Sequence, residues 1–378
     1  MQITELRVKN FRNYQAARLH FGPGSNILHG DNAQGKSNAL EAAALACTGR
    51  SPRAGAEAEL IRWEEEVAHV YAAVDSPQRG QLELEVSLSR GGSKQFKVNG
   101  VAKNRAADLI GLAPLVLFTV EDLEVVRGEP AQRRRFLNNE LGLVSKSYYW
   151  TLLQYHRVVE QRNRLLREAR ERGTSLEPLP AWDEQLCALG GKLVNKRARF
   201  LHKLEETSGP AHANLCGTGC VLGLQYRPCL AGEQGEAGWQ ELSATAAGER
   251  IREELAAHRE EELARGMTMA GPQRDDFLVT VAGRELRVYG SQGEQRSAAV
   301  ALRLGLVELL AQDWGERPLL LLDDVFSELD ANRRRGLFAV LEGQQAVITC
   351  TDIATLPAEA LAGAHRLLIS GGQVVEEG

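Results

Sequence analysis

The chain has 378 residues, of which 43% are hydrophobic and 25% are charged, and its formal net charge is −5. This length favours two lobes, and the composition is that of a globular protein without an apolar run near the roughly 20 residues that cross a bilayer. Because the first residues are charged from Glu5 onward and hold no apolar signal core, we expect a cytoplasmic protein without a membrane partner.

The six cysteines are scattered and do not form a disulfide framework. His212, Cys216, Cys220 and Cys229 could supply four zinc ligands, but they lack the close CxxC pairs of structural zinc sites. Free thiols in a reducing compartment are the favoured interpretation, and a zinc site is the alternative.

The first part of the chain is typical of β-structure. Period-two alternation predicts strands at 3–8 and 17–21, and a short apolar run predicts a buried strand ending at 26–28. Further strands are expected at 67–74, 82–88 and 96–98, the last ending in the turn dipeptide Asn99-Gly100. These runs predict a small antiparallel sheet, and the continuous apolar run 114–118 predicts a strand buried on both faces.

A glycine-rich loop, GDNAQGKS, follows the strand at 26–28 and precedes a helix predicted for 38–47. It fits the phosphate-loop pattern GxxxxGK[ST] at each fixed position, and strand before with helix after is the context that this motif needs. The loop predicts an ATP site in which backbone N–H groups surround the phosphates, Lys36 contacts the β- and γ-phosphates and Ser37 binds Mg²⁺. The predicted ATP-binding residues of the loop are Gly30, Asp31, Asn32, Ala33, Gln34, Gly35, Lys36 and Ser37.

Helical spacing replaces the strand pattern near Val125. An amphipathic helix is expected at 145–172, with Leu152, His156, Val159 and Leu166 on one face. Further helices are expected at 181–204 and 241–265, on either side of an irregular stretch at 216–238, and no heptad seam predicts a coiled coil. We therefore predict an inserted helical arm domain at 126–266.

Positive charge is concentrated within this arm. Residues 131–170 hold nine lysines and arginines against three acidic residues, while the rest of the chain is acidic. For each individual arginine of this stretch a solvated helix face is the favoured interpretation, and a salt-sensitive contact with a nucleic-acid phosphate is the alternative. The candidates are Arg133, Arg134, Arg135, Arg157, Arg164 and Arg167.

Near Met267 the pattern of the first lobe returns. A hairpin is predicted at 277–289, a helix at 293–311 and an apolar strand at 318–323. Helix and strand then alternate at 331–341, 346–349 and 367–370, which favours a mixed α/β core. We therefore predict one ATPase domain from residues 1–125 and 267–378.

Two aspartates end the apolar strand at 318–323. Carboxyl ends of strands form the ligand-binding edge of open α/β sheets, so this arrangement predicts a Walker B motif. Asp323 would hold Mg²⁺, and Asp324 would orient the water that attacks the γ-phosphate. Asp324 and Lys36 are the predicted catalytic residues, and an acidic turn after a core strand is the alternative.

A third motif precedes the helix at 293–311. Ser291, Gln292, Gly293, Glu294 and Gln295 read SQGEQ. Ser291 and Glu294 have the spacing of a capping box, which is an ordinary helix start. The glycine inside the cap, which lets a phosphate approach the backbone, favours a nucleotide contact instead.

Together with Ser327-Glu328-Leu329-Asp330, these motifs resemble those of ABC-type ATPase heads. Within that class the chain is similar to the RecF family of bacterial recombination mediators, on the strength of LRVKNFRNY at 6–14, FTVEDLEVVRGEPAQRRRFLNNE at 118–140, GPQRDDF at 271–277, SQGEQR at 291–296 and LLLLDDVFSELD at 319–330. The resemblance implies an α/β fold, an ABC-type ATPase head whose P-loop core carries an antiparallel β subdomain, with an inserted mainly helical lobe. It also implies that Arg12 and Asn13 contact the nucleotide.

The family resemblance further implies a homodimer in which residues 291–295 of one chain cap the ATP held by another. Its implied partners are double-stranded and gapped DNA, RecR, RecO and RecA at the nucleoid, and its activity is a weak DNA-stimulated ATPase in recombinational repair. The chain departs from the family pattern at Thr119-Val120 and at Gln273. It also lacks the histidine that transport ATPases have after the Walker B strand, where this chain has Thr349-Cys350-Thr351-Asp352, and this missing histidine favours slow hydrolysis. The alternatives are an SMC-like or transporter-coupled ABC subunit and a small-molecule P-loop kinase.

Overall fold

A computed structural model describes residues 1–216, 220–230, 238–341 and 343–377. The chain divides into two compact units. The first comprises Met1–Asp122, Pro210–Gly217 and Ala299–Gly378, and the second comprises Leu123–Gly209 and Thr218–Ala298. These units differ from the predicted domain boundaries in two main respects. Residues 267–298 group with the helical unit, where the strand Asp276–Val281 pairs with Leu222–Arg227, and Pro210–Gly217 groups with the first unit instead of the arm.

The strands of the described residues are β1 (Gln2–Phe11), β2 (Tyr14–His20), β3 (Ser25–His29), β4 (Val67–Ser76), β5 (Gly80–Ser89), β6 (Lys94–Val98), β7 (Val101–Lys103), β8 (Leu115–Phe118), β9 (Leu222–Arg227), β10 (Asp276–Val281), β11 (Arg284–Glu285), β12 (Leu319–Asp323), β13 (Ala346–Cys350), β14 (His365–Ser370) and β15 (Gln373–Glu377). The α-helices are α1 (Lys36–Thr48), α2 (Leu123–Arg127), α3 (Pro130–Val144), α4 (Lys146–Arg172), α5 (Leu179–Cys216), α6 (Ala244–Ala257), α7 (Arg259–Arg265), α8 (Leu286–Tyr289), α9 (Gln292–Trp314), α10 (Ala331–Leu341) and α11 (Ala358–Leu361). Among the described residues, no helix combines the length and hydropathy that crossing a bilayer requires.

The first unit contains the predicted antiparallel sheet, in the order β2-β1-β4-β5-β6-β7. Alternate residues of β5, including Leu84, Val86 and Leu88, are buried, as expected for a sheet with one face on the core. The turn at Asn99-Gly100 connects β6 to β7, and both residues have the positive φ that such tight turns need. The strands predicted between residues 3 and 98 are therefore confirmed.

A second sheet in the same unit has the order β15-β14-β3-β13-β12-β8. Its neighbours are parallel except for the β14–β15 hairpin. The central strands are short apolar runs, as buried parallel strands require. Because β3, β12 and β13 are parallel, their carboxyl ends lie at one edge of the sheet. Helix α1 begins at this edge, packs against strands of both sheets and is buried on most of its surface.

The second unit combines helices with a three-stranded antiparallel sheet, β11-β10-β9. The stretch 216–238 was predicted to be irregular, but it contains β9, and residues 217–219 and 231–237 lie outside the described part. The second arm of the predicted hairpin at 277–289 pairs for only two residues before it turns into α8.

The buried face of α4 differs from the predicted one. Leu166 is buried as expected, but Leu152, His156 and Val159 are not. The buried residues of α4 are Tyr148, Tyr155, Val158, Arg162 and Leu166. Arg162 can lie inside because its guanidinium donates hydrogen bonds to Asp183, Glu262 and Thr268.

Candidate nucleotide-binding site

The loop between β3 and α1 has a backbone that requires glycine at two positions. Gly30 has φ of 138° and Gly35 has φ of 120°. A Cβ atom at Gly30 would collide with the carbonyl oxygen of Ile369, and one at Gly35 would lie 2.7 Å from Asn13 Nδ2. Because glycine has no Cβ atom, the loop can approach the Ile369 backbone at Gly30 and the Asn13 side chain at Gly35.

The middle of the loop is fixed by hydrogen bonds from two distant parts of the first unit. The Gln34 carbonyl accepts from Asn13 Nδ2 at 2.8 Å and from the Gly372 N–H at 3.1 Å. The Gln34 side-chain oxygen accepts from the Gly371 N–H at 2.6 Å. The β14–β15 turn and the residues before β2 thus hold the loop in one conformation, and neither restraint was predicted from the sequence.

Lys36 has its ammonium group inside this loop. Its Nζ atom donates to the carbonyl oxygens of Gly30 at 2.7 Å and Asp31 at 2.8 Å, and the residue is buried. From this position the ammonium group can exchange a carbonyl for a phosphate oxygen, so the geometry suits the predicted phosphate contact.

Oxygen atoms of the predicted metal residues converge at the carboxyl edge of the parallel sheet. Ser37 Oγ donates to Asp323 Oδ1 at 2.6 Å, and Thr349 Oγ1 donates to the same oxygen at 2.8 Å. A hydroxyl and a carboxylate suit Mg²⁺, which prefers oxygen and takes only one or two protein carboxylates beside phosphates and water. The donor set therefore fits Mg²⁺, and Thr349 is a positioning residue that sequence reasoning missed.

Asp324 occupies a left-handed backbone conformation, with φ of 53° and ψ of 24°, directly after the metal carboxylate. Its N–H donates to Thr349 Oγ1 at 3.0 Å, which fixes this conformation. Burial raises the pKa of the Asp324 carboxyl from its ordinary value, and the hydrogen bond from Ser327 opposes that rise. Aspartate is among the residues that tolerate this conformation, and strained positions of this kind cluster at active sites.

A cavity of about 220 Å³ is lined by Lys36, Ser37 and Asp324, whereas Asp323 lies outside its lining. Clefts that enclose a drug-sized ligand measure roughly 300–1,000 Å³, so this cavity accounts for part of a nucleotide, and its lining suits the phosphates. Arg53 and Thr351 line it and were not predicted. Thr351 follows the apolar strand β13, a signal that could have found it, whereas Arg53 lies in a coil segment without a motif. The lining residues are Asn32, Ala33, Gly35, Lys36, Ser37, Asn38, Arg53, Asp324 and Thr351.

Arg12 and Asn13 do not line this cavity. The Arg12 guanidinium donates two 2.9 Å hydrogen bonds to the buried carboxylate of Glu41 and a third to the Glu59 carbonyl. The Glu41 carboxylate raises the pKa of Arg12. Arg12 therefore has Glu41 as its ion-pair partner and Asn13 acts on the loop backbone through Gln34, and the nucleotide contacts of both residues stay predictions.

The third motif lies in the second unit, at the start of α9. Ser291 Oγ accepts from the Glu294 N–H at 3.3 Å, and Glu294 Oε2 accepts from the Ser291 N–H at 2.8 Å. These two hydrogen bonds form a complete capping box, so in this structure the motif has the geometry of an ordinary helix start. Ser291 and Gln292 are exposed, and Gly293, Glu294 and Gln295 are half-buried, so the cap presents its polar groups to solvent.

The arginines of the basic stretch have different environments. Arg133 is 2% exposed and donates to both carboxylate oxygens of Asp276, at 2.6 and 2.9 Å, and to the Gly128 carbonyl. Its prediction as a DNA contact is wrong, because this buried guanidinium neutralises a carboxylate. Half-buried Arg134 donates to the Asp275 carbonyl at 3.0 Å, and exposed Arg164 pairs with Glu168 at 2.9 Å.

The remaining candidates, Arg135, Arg157 and Arg167, are exposed. In the described residues, no group of three or more His, Cys, Asp or Glu side chains has the geometry of a metal site. His212, Cys216, Cys220 and Cys229 therefore form no zinc cluster there, and the three cysteines are not joined in disulfides.

Comparison with known proteins agrees with these motifs. The family model for the RecF/RecN/SMC N terminal domain matches residues 2–368. The DNA replication and repair protein RecF of Symbiobacterium thermophilum is 40% identical over 99% of this chain and 98% of its own length, and that of Bacillus subtilis is 35% identical over 100% of both chains.

Solved structures give the same answer. Two structures of the recombination mediator protein RecF, described as RecF-ATPrS and RecF-ATP, have TM-scores of 0.91 and 0.88 at 33% and 32% identity, and each match covers 100% of this chain and 98% or 97% of the other. An SMC head domain from Pyrococcus furiosus, with a TM-score of 0.55 at 14% identity over 99% of this chain and 96% of the other, has a related fold. The predicted α/β fold, an ABC-type ATPase head with a mainly helical lobe, is confirmed, and the chain belongs to the RecF/RecN/SMC N-terminal domain family, within it to the RecF proteins.

Proposed function

We propose that this protein is an ATP-dependent DNA-repair ATPase that dimerises on ATP, binds gapped duplex DNA and helps to load recombinase at single-strand gaps. The observation that carries the proposal is the joined set of Lys36, Ser37, Asp323 and Asp324 at one sheet edge. Phosphoryl transfer requires a phosphate-binding loop, a carboxylate for the metal ion and a group that positions the attacking water. Lys36 and Ser37 belong to the first, Asp323 is the second and Asp324 is the candidate for the third.

Each group has a distinct role in this proposal. The loop N–H groups and Lys36 bind the triphosphate, and Ser37 with Asp323 hold Mg²⁺, which supplies charge neutralisation of the β- and γ-phosphates when bound. Asp324 accepts a proton from the attacking water. Its raised pKa brings it closer to the range useful for a general base, although it must be ionised to act.

The capping box of Ser291 supports the dimer part of the proposal. Ser291 is exposed at the N-terminus of α9, where the helix dipole favours an anion, and its hydroxyl would exchange the Glu294 carboxylate, to which it donates at 2.7 Å, for a phosphate oxygen. In the dimer, Ser291 to Gln295 of one chain would contact the γ-phosphate held by the other. The absence of a histidine in the sequence at 349–352 favours slow hydrolysis, which would release the dimer from DNA.

Sedimentation velocity with ATP, with ADP and without nucleotide tests the dimer. We expect a dimer with ATP alone, no dimer for Lys36→Met because it loses ATP binding, and no dimer for Ser291→Arg although it binds ATP normally. Ser243→Arg is the matched control, because Ser243 is also an exposed N-cap serine, accepting from the Ala246 N–H. Monomers of the parent chain at saturating ATP and Mg²⁺ would contradict the proposal.

DNA binding is proposed to use the exposed arginines Arg135, Arg157 and Arg167, while Arg164 can leave its exposed pair with Glu168 at small cost. Binding to DNA phosphates releases counterions, so log K falls as log salt rises. Each lost phosphate contact should make this negative slope shallower by about 0.9. Arg157→Ala with Arg167→Ala should weaken gapped-duplex binding with this signature, whereas Arg227→Ala, exposed at the end of β9, should not. Equal salt slopes for all variants would remove these residues from the interface.

By relation to the RecF proteins, we further propose that the chain acts at the nucleoid with RecR and RecO, upstream of RecA. Gapped DNA should then stimulate ATP hydrolysis in the parent chain. Adding purified RecR and RecO should accelerate RecA assembly at a gap only when the Lys36 side chain is intact, and an equal rate with Lys36→Met would refute this step.

A further inference from the structure

Two large hydrophobic side chains are exposed immediately before the capping box. Val288 is 62% exposed and Tyr289 is 74% exposed. Isolated exposed hydrophobic residues are normal on protein surfaces. These two are consecutive, however, and no other consecutive pair of large hydrophobic residues is exposed in residues 1–216, 220–230, 238–341 and 343–377.

The turn that carries them is rigid. The Leu286 carbonyl accepts from the Gly290 N–H at 3.0 Å and from Gln295 Nε2 at 2.8 Å, and the Leu286 side chain is buried. A Cβ atom at Gly290 would lie 2.6 Å from the Leu286 carbonyl oxygen, so glycine permits this close turn. The amide side chain of Gln295 thereby ties α8 to the start of α9.

A second contact anchors α8 from its other side. Arg287, between the buried Leu286 and the exposed pair, forms an ion pair with Glu129 at 2.6 Å. Because the residues on either side of them, Leu286, Arg287 and Gly290, are held by these contacts, Val288 and Tyr289 are presented outward by a fixed backbone. A preorganised apolar pair loses little conformational entropy when a surface covers it.

We propose that Val288 and Tyr289 form an apolar contact patch that a second copy of this chain covers in the ATP-bound dimer. The inference rests on the proposed function, in which Ser291, two residues away, contacts ATP held by that copy. Whatever surface approaches Ser291 also approaches Tyr289, so the patch is continuous with the proposed interface. Val288 has no group that can bind a DNA phosphate and Tyr289 offers a single neutral hydroxyl, whereas tyrosine is enriched among the interface residues that dominate binding.

The two parts of the interface then have separable tasks. Ser291 makes dimerisation depend on ATP, whereas Val288 and Tyr289 contribute affinity between the protein surfaces. Replacing Tyr289 should therefore weaken the dimer without changing ATP binding by the monomer, and replacing Ser291 should remove the response to ATP.

The test measures the dimer Kd by sedimentation equilibrium at saturating ATP and Mg²⁺. Tyr289→Ala should raise the Kd about 10- to 100-fold, as expected for truncation of a dominant interface aromatic, and should leave the ATP affinity of the monomer unchanged. Tyr289→Phe should retain most of the affinity. Val101→Ala and Val221→Ala are matched controls at residues that are 59% and 69% exposed, and they should behave like the parent.

Hydroxyl-radical footprinting of the parent chain gives a second measurement that needs no substitution. Tyr289 should be protected with ATP and reactive with ADP. An unchanged Kd for Tyr289→Ala, an equal loss in Tyr289→Phe, or no ATP-dependent protection overturns the patch. If Ser291→Arg still abolishes the dimer, the proposed function survives that failure, whereas a parent chain that stays monomeric with ATP overturns both.

Discussion

Ser37 and Asp323 are 286 positions apart, yet Ser37 Oγ donates a 2.6 Å hydrogen bond to Asp323 Oδ1. This bond joins the first turn of α1 to the carboxyl end of β12. The two oxygens are the predicted Mg²⁺ ligands, so the structure brings the metal groups together through their own hydrogen bond. The arrangement depends on Thr349, which donates to the same carboxylate oxygen.

Thr349→Val should slow ATP hydrolysis while preserving the fold. The substitution removes the hydroxyl that donates to Asp323 and accepts from the Asp324 N–H, but it keeps the shape of a buried side chain. Because residues that orient metal ligands typically contribute 10- to 100-fold, we expect a loss of about that size in Mg²⁺ affinity or turnover. Calorimetric titration of Mg²⁺–ATP and steady-state turnover would measure it.

Thr280→Val is the control for that substitution. Thr280 is also a buried strand threonine, and its hydroxyl donates to the Gly223 carbonyl in the second unit. Its turnover should match the parent. Normal turnover in Thr349→Val would show that Asp323 and Asp324 are held by other groups.

The rate of ATP hydrolysis should fall on acidification as Asp324 takes up a proton. Burial raises the pKa of Asp324 above its ordinary value of 3.8, so the fall should begin at a higher pH than an exposed aspartate would give. The sign follows from the chemistry, because only the ionised carboxylate accepts a proton from water, so activity is present above the pKa and lost below it.

Turnover and ATP affinity measured together from mildly acidic to neutral pH would test this. Asp324→Asn should retain ATP binding, hydrolyse slowly and lack the acid limb, and it should form a longer-lived ATP dimer. If ATP affinity falls in parallel with turnover in the parent, the limb reports nucleotide binding and the role of Asp324 as base is contradicted.

Gly30→Ala should destabilise the first unit by about 1–3 kcal/mol, the usual range for strained backbone. The new methyl group would meet the Ile369 carbonyl as well as an unfavourable positive φ. Gly100→Ala separates the two effects, because Gly100 has φ of 75° with open space around it, and it should lose only about 1 kcal/mol. Urea denaturation of both variants measures the difference, and equal losses would rule out the steric contribution.

Arg162→Met should destabilise the second unit by about 3–5 kcal/mol. Arg162 is buried and pairs with Asp183 at 2.7 Å and Glu262 at 2.5 Å, so its removal leaves the fully buried Glu262 without its ion-pair partner. Arg164→Met is a close control two residues along the same helix, since Arg164 makes an exposed pair with Glu168 and should show no measurable change. Similar urea midpoints for the two variants would contradict the buried-pair interpretation.

The nucleotide loop was predictable because its chemistry needs fixed residue types at fixed spacing. Gly30, Lys36, Ser37, Asp323 and Asp324 lie where the motifs placed them. Most strands between residues 3 and 118 were predictable as well, since alternation or a short apolar run directly reports which faces are buried, whereas the three-residue β7 was not predicted.

The missed features depend on contacts between distant segments. Arg133 was a candidate DNA contact, and only the structure supplies Asp276 as its partner. No local pattern connects Arg162 to its partner Glu262. Thr349 has no motif, and its role arises only because β13 lies beside β12. Gly371 and Gly372 act on the phosphate loop through a hairpin that no local pattern connects to Gln34.

The position of β3 between β13 and β14 has a consequence for how the protein is made. Asn26 of β3 and Ala346 of β13 are hydrogen-bonded across 320 positions of sequence. At synthesis rates of roughly 5–20 residues per second, a ribosome takes roughly 16–64 s to cover that distance. Throughout this interval the strand that leads into the phosphate loop has neither of its neighbours, so the nascent chain cannot complete this sheet edge until β13 and β14 have been translated.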